Sequence, residues 1–139
     1  MASGLEALGT VAAASQLAEQ GLKVISMISE LYIKIRDAPE SMRKDAVQLQ
    51  QLVDIAELIK QSNSLQTAVV DFVLRVCVAE ATEVKRILDK ACIAVGEGYV
   101  KKLWRAVIGL TKEKAILAHF ARLEQGKSTL MLCIATIDS

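Results

Sequence analysis

One proline, Pro39, stands in a chain whose apolar residues recur three and four positions apart, and that combination leaves room for little besides helix. Val24, Ile28, Leu31 and Ile35 fall at i, i+4, i+7 and i+11, and Ile25 and Tyr32 widen the stripe. Nowhere is the period-two alternation of a half-buried strand sustained. With Tyr32, Phe72, Tyr99, Trp104 and Phe120 as its aromatics, the chain must build its core from Leu, Ile, Val and Ala, an Ala-rich and Leu-rich choice that favours helices. Apolar residues make up 53% of the sequence, above the usual ~45–50%. A chain of 139 residues fits one domain, 1–139, and buries roughly two-thirds of the surface its unfolded form exposes. The expected architecture is all-α, a bundle of four to five long antiparallel helices.

The first helical region is expected from about Ser3 to Arg36, with a bend at Gly21 separating a small-residue segment from a stronger amphipathic one. Asp37-Ala38-Pro39 breaks it, and Pro39 is placed in the first turn of helix two, about Pro39–Gln61. That helix presents Leu49, Leu52, Ala56 and Ile59. Ser62-Asn63-Ser64 reads as a turn, with Asn63 and Gln66 resembling a capping box. Helix three is expected over about Leu65–Val95, with an early stripe of Leu65, Val69, Phe72 and Val76 and a later one of Val84, Leu88, Ala91 and Val95. Gly96-Glu97-Gly98 ends it. The last helix is expected over about Tyr99–Ile137, with Ile116, Phe120, Leu123, Leu130, Ile134 and Ile137 on one side and local weakening at Gly109 and Gly126. The stop after Ile137-Asp138-Ser139 fits an excised domain and equally a small complete protein.

A net charge of +1 argues against a nucleic-acid footprint. Locally the charge is uneven, because residues 100–114 carry Lys101, Lys102, Arg105, Lys112 and Lys114 against Glu113 alone. Such a segment is either a solvated helix end or an anionic-surface contact. Cys77, Cys92 and Cys133 lie on apolar faces without CxxC spacing and read as reduced core thiols of a cytosolic protein. Neither a metal nor a cofactor site is expected. Gly126-Lys127-Ser128-Thr129 resembles the tail of a phosphate-binding loop, but Ala121 stands where that loop needs glycine, and Ala115–Gln125 reads as helix. His119, the only histidine, reads as a residue at the core boundary. Glu80 and Glu83 share a helix face with no ExxH partner. No nucleophile, base and oxyanion donor come together, so the chain is not expected to be an enzyme.

Residues 1–22 contain no Lys or Arg, carry only Glu6 and Glu19 as charges, and lack the basic start of a signal peptide. As a helix the segment would be about 33 Å long, against a hydrocarbon thickness of about 30 Å. Its longest charge-free run, Ala7–Ala18, falls short of the ~18 residues of an ordinary transmembrane helix, and a carboxylate at mid-membrane costs at least ~2.5 kcal/mol. Ser3/Ala7, Gly9/Ala13, Thr10/Ala14 and Ala14/Ala18 form small-xxx-small pairs, which let helices approach closely in lipid and equally inside a soluble bundle. Leu5, Leu8, Val11 and Leu17 are the candidates to enter a bilayer. Gly4, Gly9 and Ala13 are the candidates for helix–helix contact. Lys101, Lys102 and Arg105 are the candidates for anionic headgroups, each worth ~1 kcal/mol near the surface. Trp104 reads as a core residue, with the membrane interface as the alternative.

Several segments together resemble the amino-terminal domains of fungal STAND (NLR-like) receptors, the SesA/NACHT-N group of the HeLo-like superfamily. They are Gly4-Leu5-Glu6-Ala7-Leu8-Gly9, Val11-Ala12-Ala13-Ala14, Leu31-Tyr32, Lys102-Leu103-Trp104-Arg105, and Leu123-Glu124-Gln125-Gly126-Lys127-Ser128-Thr129-Leu130. The resemblance implies a domain preceding a nucleotide-binding oligomerisation module and serving regulated cell death in heterokaryon incompatibility and innate immunity. It further implies a protein that is cytoplasmic at rest and that, once clustered as a homo-oligomer, turns its amino-terminal helix to the anionic lipids of the plasma membrane. Gly4 and Gly9 carry over, whereas a longer glycine zipper is missing. The competing expectation is a regulatory adaptor that binds proteins and takes no membrane step.

Overall fold

A computed structural model describes residues 4–96 and 101–138, with side chains described over 9–96 and 101–137. The chain is all-α. Its elements are α1 (Gly4–Lys34), α2 (Glu40–Gln61), a 3-10 turn at Asn63–Leu65, α3 (Ala68–Val95), the short α4 (Trp104–Val107) and α5 (Leu110–Asp138). α1 packs most extensively against α3 and α2, and α5 closes the bundle against α3 and, more lightly, α2.

The stripe beginning at Val24 is buried as its spacing requires: Val24, Ile28, Leu31 and Ile35 are all in the core. So are Leu49, Leu52, Ala56 and Ile59 of α2, and Val84, Leu88, Ala91 and Val95 of α3. Burying each of the larger of these side chains stabilises the fold by about 1.5–3 kcal/mol.

Gly21 does not divide α1, which runs unbroken through it. Its missing side chain instead admits α2: a Cβ there would lie 2.6 Å from Val53 Cγ2 and 3.6 Å from Leu49 Cδ1. Pro39 precedes the first turn of α2 as its N-cap, in extended backbone at φ −64° and ψ 138°. The connection is fastened by the Tyr32 hydroxyl, which donates to Pro39 O, and by the Arg43 guanidinium, 4.5 Å above the Tyr32 ring.

Helix three begins three residues later than its apolar pattern suggests, and Asn63 does not cap it. Thr67 is the N-cap, its Oγ1 accepting from Val70 N at 3.3 Å. Gln66 serves the preceding helix, donating Nε2 to Ile59 O at 3.2 Å and Lys60 O at 3.3 Å. Leu65 is buried, but in the 3-10 turn, so it does not set the phase of α3. The early stripe drawn from it therefore faces solvent, with Val69 61% and Phe72 68% exposed, and the core takes Val70, Leu74 and Cys77.

The last helix is two. Gly109, at φ +78°, breaks the chain between α4 and α5 in a conformation that a side chain would strain. Ahead of it Lys102 pairs with Ile35 in an isolated parallel bridge, with Arg36 N donating to Lys102 O at 2.9 Å and Lys102 N to Lys34 O at 3.3 Å. Ile116, Phe120, Leu123 and Leu130 are buried and Ile134 partly so, whereas Ile137 is exposed. Gly96 caps α3 at φ 57° and ψ −156°, backbone that glycine alone adopts readily. Glu97, Gly98 and Tyr99 lie outside the described residues.

Not every neighbouring pair is antiparallel. α1 and α2 are, since Gly21 meets Val53 while Tyr32 meets Arg43. α3 and α5 are also, since Cys77 meets Gly126 while Glu80 meets His119. α1 and α3 run in the same direction: Gly9 lies against Asp71 and Arg75, and Cys92 Sγ points at Met27 O. The link from α2 to α3 crosses the end of the bundle and does not join side-by-side neighbours.

Candidate functional site

From Gly9 onward, the amino-terminal half of α1 is held mainly by small side chains. Thr10, Ala13, Ala14, Leu17 and Ala18 are buried, and Leu17 is the one large residue among them. Gly9 is half-buried, and a Cβ there would sit 3.2 Å from Arg75 Nη2 and 3.7 Å from Asp71 Oδ1, side chains paired through Arg75 Nε and Asp71 Oδ2 at 2.9 Å. The spacing that permits close approach in lipid is thus used inside the bundle, against α3 and α2. Of the candidate bilayer residues, Leu17 is fully buried and Val11 half-buried. The side chains of Leu5 and Leu8, and the surroundings of Gly4, lie outside the described residues. Ala13, a candidate for helix contact, is 4% exposed. Among the described residues no helix is long and apolar enough to cross a membrane.

Lys101, Lys102 and Arg105 are exposed and stand together with the far end of α1. Lys102 has a structural task as well, donating Nζ to Ala94 O at 2.7 Å, where the last carbonyls of α3 gather negative partial charge. Trp104 is in the core. Its backbone N–H donates to Asp37 Oδ1 at 2.6 Å and its indole N–H to Glu113 Oε2 at 3.2 Å. The one acid of the basic segment is therefore engaged by Trp104. Among the described residues, Arg36, Lys101, Arg105, Lys112 and Lys114 make no ion pair. Toward the opposite end Lys60, Arg75 and Lys127 are each matched with a carboxylate, as are Lys23 in mid-helix and Lys34 on α1 itself. Unpaired positive charge is concentrated where α1 ends.

The two sets of candidates are therefore not brought together. Gly9 lies beside the first turns of α3, whereas Lys102 bonds to Lys34, the last residue of α1. Along a helix rising 1.5 Å per residue that places them about 38 Å apart.

Gly126-Lys127-Ser128-Thr129 is helical, and Gly126 gives room to Cys77 Sγ, which a Cβ would overlap. Lys127 is buried at 7% exposure, its ammonium donating to Gln48 and to Gln51 Oε1 at 2.7 Å, with Glu124 Oε1 at 3.2 Å. A buried lysine on α5 had no signal in the sequence, since the two glutamines that receive its ammonium lie on another helix. The same holds for His119, whose ring Nδ1 meets Glu80, the Arg122 guanidinium lying 3.4 Å from the same carboxylate. Glu83, on the face it shares with Glu80, pairs with Arg86. Burial pushes the Cys77 thiol up to about 12 and the Cys92 thiol up to about 11, with Glu80 and Glu30 respectively adding to the shift, and all three cysteines are free. Among the described residues no three His, Cys, Asp or Glu side chains gather as a metal ion would require. Comparison with family models, with curated proteins and with solved structures finds no match for this chain.

Proposed function

We propose that this chain is a HeLo-like effector domain of an NLR-like receptor, acting in regulated cell death by clustering and by turning the amino-terminal segment of α1 to the membrane. The observation that carries the reading is the unequal anchoring of α1. Its second half is bound by Val24, Ile28 and Leu31, whereas the described part of its first half is bound by alanines, Thr10 and Leu17. Withdrawing three alanine methyls and one leucine from the core costs on the order of 5 kcal/mol. A sum of that size is within reach of the packing that forms between copies when several assemble. The small residues freed from α3 and α2 are then available to the equivalent helices of neighbouring copies. Lys101 and Arg105 would meet anionic headgroups, and the site requires neither a cofactor nor catalytic residues. On this reading the protein is cytoplasmic at rest and moves to the plasma membrane when its attached or partner nucleotide-binding module assembles.

The test is leakage of anionic vesicles, measured for the chain alone, for a forced multimer, and for a multimer lacking residues 1–22. Leakage from the intact multimer alone supports the reading, and equal leakage without residues 1–22 removes it. A second reading, a protein-binding adaptor with no membrane step, is favoured by the exposed stripe Val69, Phe72 and Val76 on α3. It is distinguished by Lys101→Glu with Arg105→Glu, which spares the Lys102 cap. An adaptor would keep its lipid behaviour unchanged in this variant, whereas the effector would lose vesicle association.

A further inference from the structure

Between α2 and α5, which touch less closely than the other neighbouring long helices, lies an open cleft of about 370 Å3. Leu49 and Leu52 of α2 and Leu117, Phe120 and Leu123 of α5 give it an apolar lining, while Asp45, Gln48 and Glu124 supply the polar wall. A volume of this size is in the range of small-molecule sites, which are mostly apolar with a few placed polar groups.

The polar wall is short of positive charge. Glu124 meets Lys127 through Oε1 at 3.2 Å, but its Oε2 is shut off from solvent and accepts no hydrogen bond. Lys127 has no capacity to spare, since its ammonium also serves Gln48 and Gln51. Asp45 shares the lining with Glu124 and, among the described residues, has no ion pair of its own. Burial, and then the Glu124 charge, push its carboxyl up to about 6. Two carboxylates beside an apolar floor are the complement of one positive charge carried on an apolar body. Lys44, exposed and itself part of the lining, offsets one of the two, which leaves the lining one negative charge and opposes a second positive charge.

We propose that this cleft binds a small organic monocation, an amine with an aryl or alkyl body, its ammonium on the Asp45 carboxylate beside Glu124 and its body on Leu117 over the floor of Leu49, Leu52 and Phe120. The inference is independent of the membrane reading. The apolar side chains of the lining supply affinity, and the carboxylates select the charge.

The experiment is titration of the full chain, followed by amide chemical shifts, with 2-phenylethylamine, 2-phenylethanol and 3-phenylpropanoate as matched cation, neutral and anion. The amine is expected to bind at least tenfold more tightly than either analogue, with shifts at residues 44–52 and 117–124. Asp45→Asn, which leaves the Lys127–Glu124 pair in place, is expected to weaken the amine at least tenfold. Lowering the pH from 7.5 to 5 should weaken it in the wild type and not in Asp45→Asn, the charged groups facing Asp45 being Lys44, Glu124 and Lys127. Equal binding of the neutral analogue, shifts elsewhere, or no binding at millimolar amine overturns the proposal. So does binding confined to a lysine-bearing peptide while the amine is silent.

Discussion

Gly126 and Cys77 show how little space single atoms leave in this bundle. A Cβ at position 126 would overlap the Cys77 sulfur, which is 1% exposed and has nowhere to retreat. Gly126→Ala is therefore expected to destabilise the chain by about 1–3 kcal/mol through overpacking, despite alanine's better helix propensity. In a Cys77→Gly background the same change should cost much less, and a double-mutant cycle in urea measures the difference. Asp45 gives a residue-scale prediction of the opposite sign. Its folded-state value, about 6, lies above the ordinary 3.8, so the folded state holds the proton more tightly than the unfolded state. The stability this contributes is complete below about pH 3.8 and is lost as pH rises through about 6. Asp45→Asn should therefore raise Tm at pH 7.5 and flatten its decline between pH 4 and 6.5.

At the scale of elements, Thr67→Ala should cost about 1 kcal/mol by removing the α3 cap, while Asn63→Ala, at the residue the sequence favoured, should not. Thermal melts of the two variants decide it. The difference shows what was legible. The stripes of α2, of late α3 and of α1 beyond Val24 could be read because each is a long amphipathic run whose buried face is set within one helix. Leu65 misled because a 3-10 turn separates it from Thr67, and a short turn shifts the phase of everything counted from it. Val69 and Phe72 are as apolar as any core pair, and they stay outside because α1 and α5 take the other faces of α3. Gly109 was visible as a weak point, but neither its positive φ, which makes it a break, nor the bonds of nearby Trp104 to Asp37 and Glu113 leave a periodic trace. The pairs Lys127–Gln51 and His119–Glu80 join distant helices and leave no periodic trace.

At the scale of the molecule, the bundle is polarised. Unpaired cations gather where α1 ends, and the described part of its first half, held mainly by small side chains, begins about 38 Å away at Gly9. On the proposed membrane reading, an intact bundle standing on its basic end would hold the amino-terminal segment far from the lipid, so that association and insertion would be separate steps. Binding of anionic vesicles through Arg36, Lys101 and Arg105 should weaken steeply between low salt and 0.5 M salt, whereas leakage by an assembled form, once inserted, should not.

Release of the amino-terminal segment requires that α1 be held unequally along its length, and native-state hydrogen exchange of the free chain tests that most directly. Amides over residues 10–20 should exchange through a local opening several kcal/mol cheaper than the one that exposes residues 24–34, on the order of the burial difference between the two halves. If both halves exchanged together through a single global unfolding, α1 would be one rigid unit and the segment would have no means of leaving the bundle alone.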